Sequence, residues 1–181
     1  MASEDRSGIP FQSPLETIGS WTIVRIPEEV SRNLPSRGMT LVDGTFNGTA
    51  FQAVLEPDGR GRHWFRVDDG LLETAEVSPG DSVAMAIRPS RDWPEPDVPS
   101  DLAEALTAHP PARVLWDEIT PMARWDWIRW IRSTRQEATR RRRIAAACDK
   151  LSKGERRPCC FNRNLCSEPS VSRAGVLLDP S

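Results

Sequence analysis

Hydrophobic and polar positions alternate at strand-like spacing through the first half of the chain, then recur at helical spacing in the second. In "WTIVRIP" the apolar positions Trp21, Ile23, Val24 and Ile26 predict a strand that Pro27 stops. "EEVSRNL" reads as a short helix, and "MTLVDGTFNGTAFQAVLE" as a long β run. Within that run Asn47-Gly48 is a hairpin signal, because both central residues of the tight turn need positive φ. Asp58-Gly59 turns the chain again, and Trp64, Phe65 and Val67 resume a strand. A Pro79-Gly80 turn leads into a last strand with Val83, Met85 and Ile87 on one face. Short strands separated by turns over residues 11–89 predict a small barrel or sandwich.

The stretch "PSRDWPEPDVP" carries four prolines and supports neither element, so residues 90–99 form a linker. Beyond it, Ser100 is placed to cap "DLAEALTAH", Pro110-Pro111 ends that helix, and "ARVLWDEI" makes another. Thr120-Pro121 is a helix start, a cap residue followed by proline at the first helical position. Helical spacing then runs to about Lys153, with a break near 135–139, where Thr139 could cap a second helix beginning at Arg140. Gly154 is a stop. Residues 100–154 are therefore a helical segment and residues 155–181 an irregular, cysteine-containing tail. The fold class is α+β.

Composition adds few constraints. Hydrophobic content of 38% and charged content of 28% suit a globular protein in water, and no apolar run approaches the ~20 residues of a bilayer span. "MASEDRSGIP" lacks the apolar core of a secretory signal, which makes the cytoplasm the expected location and reduced thiols the expected state of the four cysteines. Charge matters more. The net charge is −2, yet residues 121–157 hold twelve Lys/Arg against four Asp/Glu. That asymmetry suits either an anion-binding segment or two parts of one molecule attracting each other.

The stretch "MARWDWIRWIRSTRQEATRRRRIAAACDKL" concentrates this question. Trp127, Trp130, Ile131, Thr134 and Ala138 fall on one helical stripe, so Trp127 and Trp130 are expected to be core anchors. Arg124, Arg129, Arg132 and Arg135 lie off that stripe, with Trp125 the aromatic nearest to them. Base stacking needs aromatics and arginines on one face. The run Arg140, Arg141, Arg142 and Arg143 spans more than a helical turn and cannot all face one partner. Pairing with carboxylates such as Asp68, Asp69, Glu73 and Glu76, or solvation, is the favoured role; phosphate binding by this set is the alternative.

The cysteines lack the paired spacing of a zinc site, and no metal or cofactor is expected. Cys148 belongs to the apolar stripe. Cys159 and Cys160 follow Arg156-Arg157, whose charge would favour thiolate, which makes them redox candidates. His63 with Asp58 or Asp81 is a weak acid–base pairing, no nucleotide or nucleophile fingerprint is present, and no catalytic residue is assigned.

With the elements placed, "WTIVRIPEEV", "VDGTFNGTAFQAVLEPDGRGRHWFRV", "SPGDSVAMAI", "VPSDLAEAL", "WIRSTRQEATRRRRI" and "LSKGERRPCCFN" occur in an order and spacing that resembles the bacterial YdeI/OmpD-associated family. That family joins an N-terminal β-rich domain of unknown function to a helical segment of the bacteriocin-protection type. The resemblance implies a double-split pseudobarrel, a stress-associated setting and no assigned catalytic residues. The expected function is a non-enzymatic binding module taking a small molecule or protein in a groove between barrel and helices, with Trp64, Trp127 and Trp130 lining or supporting it. A nucleic-acid-binding regulator and a thiol-based sensor are the alternatives.

Overall fold

The computed structural model describes residues 8–159 and 161–180. Its backbone forms two compact units. One runs to Asp92 and takes in Arg163–Cys166 and the chain from Val171 onward; the other comprises Trp93–Asn162 and Ser167–Ser170.

The first unit is a closed six-stranded barrel built from β1 (Ile9–Ile18), β2 (Trp21–Arg25), β3 (Thr40–Phe46), β4 (Thr49–Pro57), β5 (His63–Arg66) and β6 (Ser82–Pro89), in the order β1-β2-β5-β4-β3-β6. Two strands change partner along their length. From Ile9 to Pro14, β1 pairs with β6, and from Leu15 to Ile18 with β2. Strand β4 pairs with β3 up to Leu55 and then with β5 through Glu56 and Pro57. Pro10 and Pro14 share a parity opposite to the residues that donate to β6, so their missing N–H groups fall on the side where this half of β1 has no ladder to complete. The turn at Asn47-Gly48 has φ of 48° and 83°, as the hairpin signal requires.

Alternation puts Leu15, Val24, Val42, Phe46, Leu55, Phe65, Val83, Met85 and Ile87 inside. The short helix α1 (Glu28–Arg32) contributes Val30 to this core, and α2 (Asp69–Thr74), which sequence periodicity did not reveal, packs Leu71 and Leu72 against it. Asp68 caps α2 by accepting from Leu71 N at 2.8 Å.

The alternation fails in two places, and the failure has a physical reason. Ile23 and Val24 are adjacent and both fully buried, as are Trp64 and Phe65. One member of each pair faces the barrel core. The other packs in a second cluster with Ile18, Cys166, Val171 and Leu177. The tail, expected to be irregular, supplies this cover. It folds into a small hairpin of β7 (Ser172–Arg173) and β8 (Val176–Leu177), turned at Ala174 and Gly175 with φ of 50° and 77°. Leu177 N donates to Asp58 O at 2.8 Å, and Arg25 donates to Leu178 O.

The second unit holds α3 (Ser100–Ala108), α4 (Pro110–Glu118), α5 (Pro121–Arg132) and α6 (Glu137–Ser152) around Leu102, Leu106, Trp116, Trp127, Ile131, Ile144, Cys148 and Leu151. Pro110 opens α4 rather than only ending α3, and Pro99, not Ser100, is the cap of α3. The break between α5 and α6 falls at residues 133–136, so α6 starts at Glu137 with Gln136 as its cap, ahead of the start expected at Arg140. Gly154, at φ 90°, ends α6; its N–H reaches Leu151 O and that of Glu155 reaches Lys150 O, each at 3.0 Å. Among the described residues no helix is long and apolar enough to cross a membrane.

Two expectations follow. At Gly44 a Cβ would stand 1.9 Å from Ala86 O, so Gly44→Ala must push β3 and β6 apart, at a cost on the order of 3 kcal/mol in urea unfolding. His63 is fully buried, its ring between Ser31 Oγ (3.2 Å) and Gly38 O (2.9 Å) rather than against Asp58 or Asp81. Burial holds its pKa below the usual histidine value. The unfolded chain then binds the proton more readily, so this stability is complete above about pH 6.5 and lost as pH falls below it. Unfolding measured on either side of that pH should show the loss, and His63→Gln should flatten the pH dependence.

Candidate functional site

Strand register across β1, β6, β3 and β4 assembles one concave feature on the outer face of the barrel unit. Pro10 pairs with Ala86, Ala86 with Thr45, and Thr45 with Ala50, giving a row of short side chains across four strands. Two residues along, Arg88 pairs with Asp43 and Asp43 with Gln52, giving a polar row beside it. These positions alternate with the inward-facing Ile87, Val42 and Phe51, which is why they point outward. Gly44 and Gly8 complete the floor. A Cβ on Gly8 would meet the Ile87 backbone at 2.9 Å, so no side chain can rise there. The result is an open trough of about 1000 Å³.

Its polar row is unevenly occupied. Gln52 Nε2 donates to Asp43 Oδ1 at 2.8 Å, so the carboxylate already has a donor. Arg88 is exposed and, although Asp43 is its cross-strand neighbour, it makes no ion pair or hydrogen bond among the described residues. The trough therefore offers a guanidinium, a hydroxyl from Thr45 and a low apolar floor. It holds no nucleophile paired with a base.

The arginines singled out from the sequence are committed within the helical unit. Arg124 donates to Trp116 O (2.8 Å) and Asp117 O (2.9 Å) at the end of α4, and pairs with Glu95. Arg129 is fully buried, its guanidinium 5.4 Å from the Phe161 ring centre, which removes it from any surface phosphate site. Arg132 pairs with Glu168 at 2.8 Å, and Arg135 donates to Pro169 O. Arg140 grips Asp101 with two hydrogen bonds, 2.7 and 2.9 Å. That hydrogen bonding holds the Asp101 carboxyl below its usual range and raises Arg140. Arg141 pairs with Glu137 one turn back, and Arg142 donates to Thr139 Oγ1 at 3.2 Å. Arg143 donates to Trp130 O (2.8 Å) and Ser133 Oγ (2.7 Å), closing the end of α5; desolvation lowers its pKa. The carboxylates that answer the run are thus Asp101 and Glu137, not Asp68, Asp69, Glu73 or Glu76.

The tryptophans separate in the same way. Trp64 is 1% exposed in the barrel unit, stacked on Trp21 and donating to Pro57 O at 3.2 Å. Trp127 is fully buried among the helices, donates to Arg156 O at 3.0 Å and meets Trp130 edge to face at 5.9 Å. Trp130 is half-buried beneath Arg143, 5.8 Å from its guanidinium. Trp125 donates to Pro94 O at 2.9 Å, so the aromatic nearest the basic face fastens the proline-rich segment to α5.

Sequence reasoning missed a polar cluster inside the helical core. Asp126 is 2% exposed and Arg157 approaches it at 3.3 Å. Helical spacing set Arg129 off the apolar stripe, yet the structure buries it completely on α5, three residues from the buried Asp126. Of the redox candidates, Cys160 lies outside the described residues. Cys159 is exposed, with Lys150 Nζ 3.1 Å from its sulfur. Lys150 also meets Glu155 at 3.2 Å, and these hydrogen bonds, the one to Cys159 foremost, hold its ammonium above the usual lysine value. Cys148 is buried, and desolvation pushes its thiol up. Among the described residues no group of three or more His, Cys, Asp or Glu is placed to hold a metal ion.

Comparison with known families matches both parts of the chain. Residues 11–87 match a domain of unknown function, DUF1905, and cover the barrel strands almost completely. Residues 95–154 match the family described as "Bacteriocin-protection, YdeI or OmpD-Associated", which covers all four helices of the second unit. No curated protein matches the chain. A six-stranded barrel under the first match, followed by the helices under the second, is the arrangement expected from the motifs, and the chain belongs to the YdeI/OmpD-associated family.

Proposed function

We propose that the chain is a non-enzymatic binding module, in a stress-associated bacterial setting, whose ligand seat is the trough on the outer face of β1, β6, β3 and β4. The observation that carries this reading is Arg88: an exposed guanidinium, without an ion pair among the described residues, at the edge of a floor kept low by Gly44, Ala50 and Ala86. Guanidinium is matched by carboxylate, which it binds through two parallel hydrogen bonds. Asp43, already bonded to Gln52, faces the same row and sets where the anion can sit. The ligand is accordingly a small carboxylate with a compact apolar body, its charge on Arg88 and its body over the alanines. A protein partner would need a wider flat surface than this trough provides.

The test is a titration of arylcarboxylates, from benzoate to phenylbutyrate, followed by backbone amide shifts with the matching carboxamides as controls. Shifts should concentrate in β3, β4 and β6. Arg88→Gln should weaken binding about tenfold or more, the worth of one charge-assisted hydrogen bond, and Ala50→Phe should abolish it by filling the floor. Both sites are surface positions, so thermal unfolding should stay close to that of the parent. Equal binding by Arg88→Gln, or shifts confined to other strands, overturns the reading.

A further inference from the structure

In the polar row of the trough, two opposite charges stand side by side without meeting. Asp43 on β3 and Arg88 on β6 are direct cross-strand partners, a placement in which opposite charges ordinarily pair. Strand register explains why these do not. Gln52 lies opposite Asp43 on the other side, on β4, and its Nε2 donates to Asp43 Oδ1 at 2.8 Å, which draws the carboxylate away from β6. Among the described residues Oδ2 of that carboxylate accepts no hydrogen bond and Asp43 forms no ion pair. Beyond Arg88 the neighbouring strand is β1, whose Ile9 pairs with Ile87; the residue before it, Gly8, brings no side chain to the row. Arg88 therefore stands between a glycine and a carboxylate held from its far side. Both charged groups line the same trough, Asp43 half-buried and Arg88 exposed.

We propose that the ligand of the trough is an α-amino acid in its zwitterionic form, with its carboxylate on Arg88, its ammonium on Asp43 and an apolar side chain over Ala50 and Ala86. The inference rests on the reading of the trough as a carboxylate seat and narrows it. Guanidinium binds carboxylate through parallel hydrogen bonds, and an ammonium, which only donates, matches the open Oδ2 of Asp43. A simple carboxylate satisfies Arg88 but must sit beside the negative charge of Asp43, which repels it. An amine without a carboxylate meets the reverse. A molecule carrying both charges satisfies both groups. Spacing chooses among such molecules: neighbouring strands lie ~5 Å apart, which suits charges borne on one carbon better than charges at the two ends of a chain. The floor of Gly44, Ala50 and Ala86 offers no charge, so the side chain above it is apolar.

The experiment titrates the whole chain with ligands that share one skeleton: phenylalanine, 3-phenylpropionate without the ammonium, N-acetylphenylalanine with the amine blocked, and phenylalaninamide without the carboxylate. Backbone amide shifts in β3, β4 and β6 report binding. Phenylalanine should bind about tenfold tighter than 3-phenylpropionate, the worth of one further charge-assisted hydrogen bond, and N-acetylphenylalanine should lose that gain. Asp43→Asn keeps an oxygen for Gln52 but no charge. In that variant phenylalanine should lose its advantage, while 3-phenylpropionate binds at least as tightly as in the parent. Phenylalanine no tighter than 3-phenylpropionate in the parent overturns the proposal and leaves the carboxylate seat standing, a result that needs no variant. An advantage that survives Asp43→Asn does the same. Phenylalaninamide as tight as phenylalanine, or no binding by any of these ligands, overturns the seat and the proposal together.

Discussion

At Gly44 the backbones of β3 and β6 approach so closely that a single methyl group would lie 1.9 Å from the Ala86 carbonyl oxygen. Much of the barrel rests on that approach. Strand β6 joins β1 to β3, so its spacing from β3 decides whether the ring of six strands closes over Val42, Phe46, Met85 and Ile87. A small barrel has little area to bury and cannot absorb a gap between two of its strands. The same approach shapes the outside. Where backbones are this close, outward positions carry alanine, threonine and glycine, and the outer surface sinks into a trough. Closure and concavity have one cause, and this ties the candidate ligand seat to the most constrained part of the unit.

In the helical unit the corresponding constraint is the end of a helix. The last four carbonyls of each helix lack partners along the chain and carry the negative end of its dipole. Arg124 donates to two such carbonyls at the end of α4, and Arg143 to one at the end of α5. Short helices packed in series create many such ends, and an arginine-rich sequence supplies guanidinium groups to satisfy them. Charge that looks from the sequence like an anion-binding face is thus distributed over carbonyls and nearby carboxylates. A phosphate approaching Arg140 would have to displace Asp101, whose carboxyl that arginine already holds ionised. The basic segment is better understood as the fastening of the helices than as a surface in search of a polyanion.

These distinctions mark where the sequence was legible. The Asn47-Gly48 turn, the start at Thr120-Pro121 and the stop at Gly154 were readable because each depends on a few adjacent residues with one conformational solution. The interruption between α5 and α6 was readable too, within a few residues, but not its exact position, since no strong cap marks Gln136. Trp127 read correctly as a core residue because it lies on the apolar helical stripe, but the same spacing failed for Arg129, which is buried as completely. Hidden features depend on register between distant segments. The row Pro10, Ala86, Thr45 and Ala50 exists only once four strands are aligned, and none of those residues is unusual alone. The pairing of Cys159 with Lys150 was missed for a similar reason: a chain reversal makes the spatial neighbour a lysine nine positions back, while the arginines beside the cysteine in sequence turn away.

The tail shows how a departure from pattern can carry information. In an antiparallel strand with one wet face, consecutive buried apolar residues are a contradiction, because side chains alternate between faces. Ile23-Val24 and Trp64-Phe65 are both such pairs, on neighbouring strands β2 and β5 that align at Val24 and Phe65. The contradiction resolves only if something apolar covers the outside of that sheet. The segment that does so, Val171 and Leu177 with Cys166, looks too polar and too short to be an element by itself. Its two-residue strands are held by contacts rather than by propensity: the Asp58 carbonyl takes the Leu177 N–H, and Gly59 has no Cβ because one would meet Gly175 O at 2.2 Å. An Asp-Gly pair that reads as an ordinary hairpin turn is therefore also a docking point, and its glycine is required by the tail as much as by the turn.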